Sequence, residues 1–62
     1  MNEYTERDKL VSRIFIALSS KGVFVAEGYE VRRKSWLWFV NGKEVTATEA
    51  HNSVFEYAHN LC

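Results

Sequence analysis

The sequence predicts a small α+β domain, α-β-β-β-α, with a twisted antiparallel sheet packed on two helices. Three observations carry this expectation. Apolar residues recur at helical spacing between Thr5 and Ser20. β-branched and aromatic residues then dominate from Val23 to Val45, without a proline and with Asn41-Gly42 among them. Finally, Thr46-x-x-Glu49 opens a second apolar stripe that runs to Leu61. A chain of 62 residues holds one core, so residues 1–62 are read as a single domain.

The first helix is expected over about 5–20. Thr5 suits an N-cap, and Glu6 and Asp8 place carboxylates in the first turn, at the positive end of the helix dipole. Leu10, Val11, Ile14, Ala17 and Leu18 form its core stripe, and Lys21-Gly22 suits its C-terminal end. Ile16 lies opposite Ile14, among Lys9, Ser12 and Arg13, so it is an apolar residue on a polar face.

Strands are expected over about 23–32, 36–40 and 43–45. Gly28 marks either a bulge in the first run or a break that would make four strands. That choice decides which sheet face Phe24 and Ala26 occupy. Arg32-Arg33-Lys34-Ser35 reads as a charged turn, and Asn41-Gly42 as a two-residue type I′ turn. The second helix, about 47–61, is capped by Thr46, with Thr48 competing. Its stripe is Ala50, Val54, Tyr57 and Leu61, with Ala58 at the flank.

The Asn-Gly turn sets the register. Val40 should pair with Lys43, Phe39 with Glu44 and Trp38 with Val45; across the charged turn, Val31 should pair with Trp36 and Tyr29 with Trp38. Tyr29, Val31, Trp36, Trp38, Val40 and Val45 then share the face given to the helices. The other face carries Leu37 and Phe39 among Glu30, Arg32, Glu44 and Thr46, where a solvated sheet would be polar. Each such side chain left in water forgoes roughly 1.5–3 kcal/mol of burial. A helix on each side of the sheet, a tolerated surface pair and burial against a second copy or another protein all fit, and the last is adopted. The expected interface is therefore Leu37, Phe39, Ile16, Arg32 and Glu44.

Composition narrows the function classes. Eight basic and eight acidic residues give no net charge, which argues against a domain that works through a large positive field. No apolar run is long enough for a membrane helix and the Met1-Asn2-Glu3-Tyr4 start is polar, so a cytoplasmic, membrane-free protein is expected. The lone Cys62 supports neither a disulfide nor a metal framework. His51 and His59 stand two helical turns apart, with Phe55 between them. His59 and Cys62 would supply only two ligands on a chain end. Glu27, Glu30 and Glu44 lack the volume for a substrate pocket, and Gly22, Gly28 and Gly42 are too scattered for a phosphate loop. No catalytic residue, metal, cofactor or small-molecule substrate is expected; an enzyme or metal site on the second helix is the least favoured alternative.

Nucleic-acid binding is the stronger alternative, through Arg32, Arg33, Lys34 and Trp36, because cations beside an aromatic ring can hold phosphates and stack bases. The helix, three strands, helix order is shared with double-stranded-RNA-binding domains. Leu37-Trp38-Phe39-Val40-Asn41-Gly42-Lys43-Glu44, followed by the Thr46–Leu61 helix, resembles their second hairpin and second helix. The resemblance covers under half of the chain. It implies phosphate contacts from lysines at the start of that helix, but Thr48, Glu49 and His51 stand there instead. The favoured expectation is a non-catalytic protein-interaction module, a small accessory or inhibitor protein that binds another protein and forms a homodimer.

Overall fold

The computed structural model describes residues 5–61. The element order is α1 (Glu6–Ser20), β1 (Val23–Ala26), β2 (Tyr29–Lys34), β3 (Leu37–Val40), β4 (Lys43–Val45) and α2 (Ala47–Leu61). The expected α+β architecture is present, with four strands where the sequence favoured three. Among the described residues no helix is long and apolar enough to cross a membrane.

Local chemistry accounts for the helix boundaries. Thr5 is the N-cap of α1: its hydroxyl accepts the Asp8 N–H at 3.1 Å, and the Asp8 carboxylate accepts the Thr5 N–H at 3.3 Å. Thr46 and Glu49 form the same reciprocal pair at α2, at 3.1 and 2.9 Å, which settles the competition with Thr48. Gly22, at φ 79°, lets the chain leave α1 with its N–H on the Ala17 and Leu18 carbonyls.

The sheet is a meander in the order β1-β2-β3-β4, antiparallel throughout. Gly28 breaks the first run. Ala26 pairs with Tyr29, and Gly28 at φ 77° completes the turn between them, so Phe24 and Ala26 join the helix side with Tyr29 and Val31. Asn41 and Gly42 both take positive φ, 51° and 82°, as a type I′ turn requires, and the β3–β4 register is the expected one.

The β2–β3 turn differs from expectation. Arg32, Arg33 and Lys34 continue β2, and Ser35-Trp36 makes the turn, with Lys34 opposite Leu37 and Val31 opposite Val40. Ser35 takes φ 58° to close it. The slip is an even number of residues, so it leaves every paired side chain on its expected face. Trp36 is the exception: it leaves the sheet and is 81% exposed at the hairpin tip.

Both helices pack on one side, which removes the arrangement with a helix on each face. Ile14 and Leu18 from α1, Tyr29 and Val31 from β2 and Val54 from α2 form the buried cluster, lined by Phe15, Phe24, Trp38 and Val40. Ala50 and Ala58 are also fully buried, letting α2 lie close. Leu61, expected in the stripe, is 62% exposed at the last described position of α2. Tyr29 and Tyr57 stack with centroids 4.1 Å apart, and the Tyr29 hydroxyl shares a 2.9 Å hydrogen bond with Ser53. Burial raises the Tyr29 phenol above its ordinary value, against the lowering effect of Ser53.

Candidate interaction surface

The helix-free side of the sheet is built from alternate residues. Pairing places Val23, Arg32, Phe39 and Glu44 in one row across all four strands. Lys34 and Leu37 lie in the row on one side of it, and Val25 and Glu30 in the row on the other. Leu37 and Phe39, on an interior strand, are half-buried, and Leu37 shares a cleft with Ala47 and Glu49 at the start of α2. Val25, at the edge, is 65% exposed. Charge interleaves these apolar positions: Arg32 Nε binds Glu30 Oε2 at 2.8 Å within β2.

Asn41 makes this surface continuous at its lower end. Its N–H donates to the Glu30 carbonyl at 2.8 Å, and its side-chain Oδ1 accepts the Glu30 N–H at 2.8 Å. The side chain stands in for a backbone carbonyl and extends the β2–β3 ladder into the turn. Sequence reasoning saw only the turn preference of Asn41, because the partner lies eleven residues away.

At the other end the exposed Trp36 ring borders a shallow cleft shared with Leu37, Glu44, Thr46 and Glu49. Two expected interface residues, Leu37 and Glu44, thus meet a tryptophan that the sequence pattern places on the helix side of the sheet. Glu49 is held in the capping box; its hydrogen bonds with Thr46 pull its carboxyl below the ordinary range. Ile16 lies elsewhere, 63% exposed on the outer face of α1 in a shallow groove with Asp8, Lys9, Ser12 and Arg13. It does not join the sheet surface.

The basic run is divided by its strand conformation. Arg32 and Lys34 point with the open face, whereas Arg33 pairs with Trp38 on the helix side and donates to the Ser35 carbonyl at 3.2 Å. The four residues of the nucleic-acid alternative therefore do not form one patch, and Glu44 and Glu49 put negative charge beside Trp36.

The histidines have separate structural surroundings. His51 lies between Phe15 and Trp38, each ring centroid 5.1 Å away, and its Nδ1 is 2.6 Å from the Ala47 carbonyl. Because a carbonyl only accepts, Nδ1 carries the proton. His59 Nδ1 instead accepts from Arg7 Nη1 at 2.9 Å, tying the end of α2 to the start of α1. The His59–Cys62 pair lies partly outside the described residues. Among those residues, no three His, Cys, Asp or Glu side chains gather where a metal ion could sit.

The chain matches no protein-family model, no curated protein and no solved structure.

Proposed function

We propose that this protein is a non-catalytic interaction module that binds another protein through the helix-free face of its sheet. The observation that carries the reading is the placement of Leu37 and Phe39 on β3 with no helix over them. Val23 and Val25 enlarge the apolar area, Trp36 overhangs one end, and Arg32 and Glu44 flank Phe39 in its row. Aromatic and arginine side chains are the types that usually dominate binding energy in protein interfaces, and Phe39, Trp36 and Arg32 bring them to this face.

Leu37→Thr with Phe39→Thr tests this. Threonine keeps β-propensity and removes the apolar surface, so the fold should survive. Proteins retained by immobilised wild type in extracts of the producing cells should be lost by the variant, which should keep a cooperative thermal transition at a lower midpoint because both side chains are half-buried. Equal retention by both proteins would refute the assignment of this face.

A second reading, nucleic-acid binding through Arg32, Arg33, Lys34 and Trp36, draws support from the exposure of Trp36. It requires an affinity for RNA or DNA that falls with salt and is lost in Arg32→Glu with Arg33→Glu. Absence of binding at low salt eliminates it.

A further inference from the structure

We propose that two copies of this protein join through β1, in antiparallel register centred on Phe24, to make one continuous eight-stranded sheet. The ladder shows which backbone groups are free to do so. Both main-chain groups of Glu30 are directed to Asn41, so Val25, opposite Glu30 in β1, is not bonded to β2. Arg33 donates to the Gly22 carbonyl at 2.8 Å, which makes Val23 the other residue outside the β1–β2 bonds. The N–H and C=O groups of Val23 and Val25 therefore point outward from the edge.

Natural sheets guard such an edge with charge, proline or a covering element. β1 reads Val-Phe-Val-Ala and has none of these in its sequence. The opposite edge does: β4 is three residues long, carries Lys43 and Glu44, and directs only the main chain of Glu44 outward. The contrast selects β1 as the edge suited to pairing.

The Phe24-centred register is the one in which all the outward groups find partners. Val23 lies opposite Val25 of the second copy and Val25 opposite its Val23, each pair exchanging both N–H···O bonds. Lys21, the C-cap of α1, and Glu27, in the β1–β2 turn, flank β1 at its two ends, so this register brings each copy's Lys21 to the same end of the paired strands as the other's Glu27. A slip of two residues in either direction removes that charge match and leaves outward groups unpaired. On the open face the four valines of the two copies form one patch, giving Val25 a cross-strand neighbour. On the helix side Phe24, 6.5 Å from Tyr29 and 6.3 Å from Tyr57 between ring centroids, meets Phe24 of the second copy. The paired sheet presents two Leu37/Phe39 surfaces side by side. The pairing rests on edge geometry and stands apart from what those surfaces bind.

Light scattering on a sizing column, at micromolar to hundreds-of-micromolar protein, tests the pairing. Wild type should elute at twice the 7.2 kDa chain mass. Lys21→Glu and Glu27→Lys should each raise the dissociation constant at least about tenfold, and the double exchange should restore the dimer. Val25→Pro removes an outward N–H that the monomer does not use, so it should give a folded monomer. Wild type that stays monomeric at hundreds of micromolar overturns the proposal, as does a dimer that survives Val25→Pro and both charge reversals. A dimer broken by Leu37→Thr with Phe39→Thr but not by Val25→Pro would also overturn it, in favour of face-to-face packing. Loss of partner retention with an unchanged dimer would instead locate the two functions on separate surfaces.

Discussion

Asn41 combines a left-handed backbone at φ 51° with a side chain that accepts the Glu30 N–H at 2.8 Å. Asn41→Ala removes both contributions. A lost hydrogen bond of this kind costs about 0.5–1.5 kcal/mol. Placing an ordinary L-residue in the left-handed region costs roughly a further 1–2 kcal/mol, which asparagine largely avoids. The total, about 1.5–3.5 kcal/mol, is a large share of the ~3–5 kcal/mol that so small a core usually supplies. Asn41→Gly keeps the backbone freedom and loses only the bond, so about half that loss is expected; Asn41→Asp keeps the acceptor and should be nearly neutral. Urea unfolding followed by tryptophan fluorescence gives the order directly. Equal losses for alanine and glycine would refute the backbone argument. Losses under about 0.5 kcal/mol for both would refute the contribution of the bond, since surface substitutions ordinarily fall in that range.

Three further outcomes are expected. Tyr29 keeps its proton more tightly when folded, so its contribution is complete below the unfolded phenol's value, about pH 10, and is lost as pH rises through the folded one. Tyr29→Phe should flatten that alkaline decline while lowering neutral-pH stability by about 0.5–1.5 kcal/mol through loss of the Ser53 bond. Glu49 behaves oppositely: its lowered carboxyl contributes stability that is lost as pH falls through its folded value, below the ordinary range. Glu49→Gln, which retains an acceptor for Thr46, should flatten the acid decline in thermal melts below pH 5. Gly22→Ala should be more damaging than Gly28→Ala, because a β-carbon at position 22 would lie 3.1 Å from the Arg33 carbonyl whereas position 28 opens on free space. Urea midpoints in the reverse order would contradict that contact.

Local signals made much of the fold legible. Thr5, Thr46 with Glu49, Gly22 and Asn41-Gly42 act on neighbours within a few residues, and each does what its chemistry implies. The facing of the strands was legible because it depends only on odd or even position. The site of the β2–β3 turn depends on Ser35 adopting a positive φ, and neither Ser35 nor Trp36 carries a residue-type cue for that. Alternation alone therefore places Trp36 in the core, whereas it stands in solvent. The same missing cue made Arg32-Arg33-Lys34 read as one basic turn, although strand geometry sends Arg33 to the other side. Gly28 fits a bulge and a break equally well in sequence, and pairing between Ala26 and Tyr29 decides it. Contacts across the fold, such as Tyr29 with Ser53 and Arg7 with His59, leave no local trace.

The most direct test of the open face is site-specific photo-cross-linking in the producing cells. A benzophenone side chain at Phe39, with a control at Lys9 on the exposed polar side of α1, samples the two surfaces under the same conditions. The account predicts a discrete adduct from position 39 with a different protein, its added mass not a multiple of 7.2 kDa, and none from position 9. An adduct from position 9 alone, or from position 39 only with nucleic acid, would contradict the helix-free sheet face as a protein-binding surface.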